Sequence, residues 1–183
     1  MKHLQDLNGT GLLVVDVQDN HFPRCVAQES TLSVMVRVVQ AAKLLGLPVV
    51  VTEQYPKVFG ATVSALAQVT APEQPMAKLH FSCLADPAIA ERLKTLGLSN
   101  LVLVGTETHI CVCQTALMAL EQDLSVAVVA DGVTGRKQQE HDLALQRLAA
   151  HGVDVLPWES LVYEWMRRAG TDVFKQILPL VKQ

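Results

Sequence analysis

The sequence predicts an α/β protein built on a parallel sheet with helices on both faces, and three observations point there. Apolar, β-branched runs recur along the chain, segments with helical spacing separate them, and glycine or proline punctuates the joins. Four runs stand out, residues 12–17, 48–51, 101–104 and 126–129, each short and nearly continuous rather than alternating. Continuity of that kind marks a strand buried on both faces. Residues 77–82 and 153–156 are weaker candidates. Helical spacing covers residues 32–45, 87–96, 111–120 and 138–150, and residues 158–183 read as one or two further amphipathic helices.

The joins justify these elements in order. Leu45-Gly46-Leu47-Pro48 closes one helix and opens a strand, and Leu96-Gly97-Leu98 and His151-Gly152-Val153 repeat the device. Asp86-Pro87 supplies an N-cap followed by proline at the first helical position. Regular strand–helix alternation implies parallel strands, because each return to the sheet crosses through a helix. With 183 residues and no repeat, low-complexity stretch or linker, the chain reads as a single domain over residues 1–183. In the tail, Val162, Trp165, Phe174, Ile177 and Leu178 carry apolar surface that either packs on the domain or meets a second subunit, so a homo-oligomer is expected.

Composition narrows the function classes. Half of the residues are apolar and 18% are charged, which excludes a disordered chain. No run approaches the roughly 18 apolar residues of a membrane span. Met1-Lys2-His3-Leu4-Gln5-Asp6 has no apolar stretch behind its charges, so no signal peptide is expected. The formal net charge is −3 and the basic residues are scattered, which removes the usual footprint of a nucleic-acid partner. Cys25, Cys83, Cys111 and Cys113 show no paired spacing, and Cys111-Val112-Cys113 is one residue too tight for a CxxC motif. Free thiols in the cytoplasm are the expectation.

Doubly wound sheets bind ligands beyond the carboxyl ends of their strands, where strand order reverses. Polar residues fall there: Asp16, then Thr52-Glu53-Gln54-Tyr55, Thr106-Glu107-Thr108 and Asp131. Asp16 is the most informative, because a carboxylate inside an apolar run is costly unless paired or functional. Gly105-Thr106-Glu107-Thr108-His109-Ile110-Cys111-Val112 puts a cysteine at the first turn of a helix following a strand. Backbone N–H groups and the helix dipole there favour a thiolate and can stabilise an oxyanion. The predicted architecture is a three-layer α/β/α, Rossmann-like fold whose six-stranded, mainly parallel sheet has the order 3-2-1-4-5-6. Strands one and four are then neighbours, so Asp16 and Cys111 meet, and a base beside a thiol is the minimum unit of nucleophilic catalysis. Position alone leaves the alternatives open: a buried small hydrophobe for the cysteine, a loop anchor for the aspartate.

At these residues the sequence resembles the isochorismatase-like hydrolases, in three motifs that occur in order and cover nearly the whole chain. Leu12-Leu13-Val14-Val15-Asp16-Val17-Gln18 resembles the first-strand motif, Ala77-Lys78-Leu79-His80-Phe81-Ser82 the lysine motif, and residues 105–112 with Thr115 the nucleophile motif. Thr52-Glu53-Gln54-Tyr55-Pro56 resembles the isochorismatase-domain branch of animals and trypanosomatids, some of whose members were named ribonucleases. The resemblance implies that Cys111 is the nucleophile, Asp16 its base and Lys78 the nearby cation. It also implies a cis peptide between Thr106 and Glu107, with the N–H groups of Glu107 and Cys111 as oxyanion hole. Gln18, Phe22, Tyr55, Phe81 and His109 are the expected pocket residues.

Departures from the family pattern refine the reading. Nicotinamidases of this superfamily hold a metal through Asp and His just after the second strand, whereas Glu53-Gln54-Tyr55-Pro56-Lys57 has no histidine. No metal and no cofactor are therefore expected. True isochorismatases lack the cysteine, so Cys111 argues against vinyl-ether hydrolysis. The expected function is metal-independent hydrolysis of a small amide or carbamoyl compound through a thioester, with a small-molecule substrate as partner. The competing readings are a binding or regulatory protein that retains the fold, and a nucleic-acid enzyme.

Overall fold

Six strands form one all-parallel sheet: β1 (Thr10–Val15), β2 (Val49–Gln54), β3 (Met76–Lys78), β4 (Asn100–Thr106), β5 (Ser125–Thr134) and β6 (Asp154–Leu156), in the spatial order β3-β2-β1-β4-β5-β6. This computed structural model describes residues 7–182; residues 1–6, on which the expectation about a signal peptide rests, and Gln183 lie outside the described residues. The helices are α1 (Gln28–Leu44), α2 (Pro56–Phe59), α3 (Ser64–Thr70), α4 (Pro87–Thr95), α5 (Cys113–Glu121), α6 (Gln138–Ala150), α7 (Trp158–Met166) and α8 (Asp172–Val181). None is long and apolar enough to cross a membrane.

Side-chain alternation explains why the strands read as continuous apolar runs. Leu12 and Val14 of β1 enter a core with Met35 and Val38 of α1 and with Trp165 and Ile177 of the tail. Leu13 and Val15 enter the opposite core, with Ile89, Ala116 and Leu148 of α4, α5 and α6. The tail thus takes the first of its two readings and packs on its own sheet through Leu161, Val162, Trp165 and Ile177.

Strand ends differ from expectation for local reasons. β1 stops at Val15 because Asp16 turns into the left-handed region, φ +54, which aspartate tolerates better than most residues. β2 continues to Gln54 because Thr52, Glu53 and Gln54 pair with Met76, Ala77 and Lys78. The pairing of β4 with β5 shifts register between Leu103 and Gly105, and β5 runs on to Thr134. Asp131 lies in that irregular stretch, and its Oδ1 accepts the N–H of Trp158 at 2.8 Å, so it caps α7. The short helices α2 and α3 have no clear sequence signal; α3 buries only Leu66 and Thr70.

One glycine sets the contact between the two central strands. Gly105 pairs with Val15 and has φ +133, and a Cβ there would lie 2.2 Å from the Val15 carbonyl oxygen. Backbone cannot yield as a flexible side chain can. Gly105→Ala is expected to cost roughly 3 kcal/mol or more, read as a fall in the urea midpoint; a parent-like midpoint would show that β1 and β4 are not held this closely.

Candidate active site

The site begins where β1 ends. Asp16 donates its own N–H to the Thr52 carbonyl at 3.2 Å, and the Thr106 hydroxyl donates to the Asp16 carbonyl at 2.6 Å. The neighbours of β1 on either side, β2 and β4, therefore clamp the left-handed turn. Its buried carboxylate has a partner on each oxygen: Thr52 Oγ1 donates to Oδ1 at 2.8 Å, and Lys78 Nζ to Oδ2 at 2.6 Å.

Lys78 reaches Asp16 from the sheet edge. It is the last residue of β3, and its side chain is fully buried. Nζ also donates to Gln54 Oε1 at 2.7 Å and approaches the His80 and Phe81 carbonyls at 3.2 and 3.3 Å. Burial is the largest single influence and works against its charge, but the Asp16 carboxylate together with the neighbouring Cys83 and Cys111 sulfurs outweighs it and raises the Lys78 pKa above its ordinary value.

Cys111 arrives from β4 through a π turn, Thr108–Val112, rather than in the first turn of α5. Ile110 and Val112 both donate their N–H groups to the Glu107 carbonyl, at 3.0 and 3.2 Å. The Cys111 thiol lies within hydrogen-bonding reach of Asp16. Burial pushes its pKa up, and the Asp16 charge pushes it further; Lys78 acts in the other direction. Burial first and the Asp16 charge second thus favour the thiol over the expected thiolate, and Lys78 offsets them only in part. Cys83 is a buried neighbour not foreseen at the site: its sulfur is 3.7 Å from Thr52 Oγ1, and burial pushes its thiol up to about 11.

A cavity of about 210 Å³ opens onto Cys111, Asp16 and Thr106. Gln18, Gln54, Phe59, Phe81 and Ile110 line it, together with His21, Arg24, Glu107 and Arg136. Of the expected pocket residues, Gln18 and Phe81 are there. Gln18 is also a brace: its amide donates to the Gln54 and Gly60 carbonyls at 3.1 and 2.7 Å and accepts the Gln54 N–H at 2.8 Å.

Four expectations are corrected. Phe22 does not line the cavity; the 3-10 turn Phe22–Arg24 sends it into the α1-side core and leaves His21 and Arg24 facing the cavity. Tyr55, left-handed at φ +37, lines a separate surface groove with Leu79 and His80. His109 points behind the site, with Nδ1 3.4 Å from Glu107 Oε2 and Nε2 3.0 Å from Glu140 Oε2. The Thr106–Glu107 bond is also trans, since the cis bond among the described residues is Ala71–Pro72.

Glu107 organises a second group of charges. Its Oε1 accepts from Arg136 Nε at 2.7 Å and contacts His21 Nε2 at 2.8 Å, while Oε2 accepts the Arg136 N–H at 3.2 Å. His21 Nε2, the Cys25 sulfur and a Glu107 oxygen lie within 4.8 Å of one another, as a three-ligand metal site requires. The fit is poor. The Arg136 guanidinium already occupies the carboxylate, and burial pushes the Cys25 thiol up to about 12, so a dication must displace one cation and ionise a reluctant thiol. The set reads as an ion-pair cluster.

The cluster has a pH signature. Burial opposes ionisation of Glu107, but hydrogen bonds from His21 and Arg136 outweigh it and lower its pKa to about 2. In the unfolded chain the carboxylate takes its proton near its ordinary value, so stability is lost as pH falls through the window between the two. Between pH 5 and pH 3 the parent should lose roughly 2 kcal/mol more unfolding free energy than Glu107→Gln, measured in urea; equal slopes would contradict the arrangement.

Comparison with known proteins agrees with the fold and with the family resemblance. The isochorismatase domain model matches residues 10–160. Isochorismatase domain-containing protein 2 of Bos taurus is 35% identical over 97% of this chain and 85% of its own length. Isochorismatase domain-containing protein 1 of Danio rerio is 34% identical over 91% of this chain, which spans only 59% of that relative. Among structures, one described as a MAR1 ribonuclease from Caenorhabditis elegans superposes with a TM-score of 0.92 at 29% identity, covering 98% of this chain and 93% of the other. The chain belongs to the isochorismatase family.

Proposed function

We propose that this protein is a metal-independent cysteine hydrolase of small amide or carbamoyl compounds. The observation that carries the reading is one geometry: a cysteine thiol at a cavity, within reach of a buried carboxylate that is itself held by a buried ammonium. A packing cysteine has no use for such a pair, which costs desolvation and offers the core nothing.

The chemistry follows from the contacts. Cys111 Sγ attacks the amide carbon as its proton passes to Asp16. The negative charge on the former carbonyl oxygen is met by backbone N–H groups of the π turn, for which Glu107 and Cys111 are our candidates, since the Ile110 and Val112 N–H groups are committed. The tetrahedral species collapses, the C–N bond breaks, and Asp16 returns the proton to the leaving amine. Water then attacks the thioester, Asp16 takes its proton, and the acid leaves as the thiol recovers its hydrogen. Lys78 stays hydrogen-bonded to Asp16 Oδ2 through these transfers and holds its orientation.

A second copy of the chain is our expectation for the partner. Tyr55, Leu79 and Phe81 are large apolar residues left exposed around the cavity and the neighbouring groove. Four free, buried thiols suit a reducing compartment, and we place the protein in the cytoplasm.

Ammonia release from a panel of small primary amides and N-carbamoyl compounds tests the reading. At least one compound should be turned over, Cys111→Ala should abolish that turnover, and Asp16→Asn should lower it by roughly 10²–10⁴-fold. Release that survives Cys111→Ala would reject the mechanism. Iodoacetamide gives a sign that turnover cannot: because Asp16 raises the thiol pKa, Asp16→Asn should alkylate at Cys111 about tenfold faster near pH 8 while losing activity.

A further inference from the structure

The cavity contains more positive charge than the hydrolytic step needs. Asp16 is matched by Lys78, and Glu107 by Arg136. Arg24 also lines the cavity, and its guanidinium has no hydrogen-bond or ion-pair partner among the described residues. Counted with Lys78, which pairs with Asp16 behind the lining, two carboxylates are set against three Lys and Arg cations, an excess of one positive charge. The Arg136 guanidinium is held only through Nε, on Glu107 Oε1, so its two terminal nitrogens have no partner among the described residues.

Chain topology ties both arginines to the reacting groups. Arg24 ends the 3-10 turn that follows Asp16 and Gln18, and Glu107, which pins Arg136, begins the turn that carries Cys111. Guanidinium groups prefer planar, doubly hydrogen-bonded anions, and a carboxylate fits that geometry. The cavity, at about 210 Å³, is smaller than the roughly 300–1,000 Å³ that holds drug-sized ligands. Phe59, Phe81 and Ile110 supply apolar wall but no further charge.

We infer that the substrate is a small monoacid, an amide or carbamoyl compound bearing one carboxylate, whose carboxylate is taken by Arg24 and the free terminal nitrogens of Arg136. The inference rests on the hydrolase reading for the amide half of the substrate; the anion subsite stands on the arginines alone. It makes Arg24 and Arg136 specificity residues and leaves Cys111, Asp16 and Lys78 as the reacting set.

The test is kept independent of turnover by measuring binding to the Cys111→Ala protein. Calorimetry compares succinamate with succinamide, its neutral diamide of nearly equal size. Succinamate should bind at least tenfold more tightly, about 1.4 kcal/mol, and the preference should shrink as salt rises from about 50 to about 500 mM. Arg24→Gln should remove most of the preference. Arg24 is exposed and its side chain makes no hydrogen bond or ion pair among the described residues, so the variant should leave the fold intact. Arg136→Gln should do the same, with circular dichroism confirming that loss of the Glu107 contact leaves the protein folded. Equal binding of the two compounds, failure of succinamate to bind, or a preference that survives Arg24→Gln and Arg136→Gln overturns the inference. Preference for succinamate in a protein that hydrolyses no amide would instead sink the hydrolase reading and leave the anion subsite standing.

Discussion

The site depends on a buried ion pair, Asp16 Oδ2 with Lys78 Nζ at 2.6 Å. Removing two charges from water is expensive, and such a pair is tolerable only when further hydrogen bonds complete both partners. Here they do: Thr52 serves the second carboxylate oxygen, and Gln54 and two carbonyls serve the ammonium. Several features that look unrelated answer to that pair. β2 overruns its apolar stretch so that Gln54 can reach Lys78, and the three-residue edge strand β3 delivers the lysine. The left-handed turn at Asp16, clamped by Thr52 and Thr106, aims the carboxylate off the sheet.

The pair also defines what the cysteine is. An ammonium alone beside Cys111 would draw out a thiolate, but a carboxylate between them reverses that effect. Asp16 has Lys78 on one oxygen and the thiol within reach, and its charge adds to burial in favouring the proton on sulfur. The second charge group, Glu107 with His21 and Arg136, is separate from this transfer. It stiffens the turn that carries Cys111 and presents one guanidinium to the cavity. The lining therefore divides into a reacting pair and a recognising pair.

Much of this was legible in the sequence. Strand order and the meeting of Asp16 with Cys111 follow from uninterrupted apolar runs and glycine-marked joins, signals that arise from burial on both faces and survive any change of detail. Lys78 was legible only through its motif; a lysine before a weak strand ordinarily points to water, and its burial depends on Asp16, sixty-two residues away. What the sequence hid was local conformation. Phe22 enters the core and His21, which carries no sequence signal, faces the cavity because a 3-10 turn decides which side chain points where. His109 is turned away because a π turn, with no sequence signature of its own, sets the phase before α5 and brings Ile110 to the cavity instead. Arg24 and Arg136 carry no motif at all, and only the folded chain shows that loops after β1 and β5 bring them to one cavity.

The central claim is that burial, reinforced by the Asp16 charge, favours the protonated form of Cys111. Thiolate absorbs near 240 nm, so the difference between the parent protein and Cys111→Ala, followed from pH 5 to pH 10, reports the ionisation of this one sulfur. The account predicts no thiolate step at neutral pH in the parent, and a step moved clearly downward by Asp16→Asn. A parent thiolate already formed at pH 7, unaffected by Asp16→Asn, would contradict it.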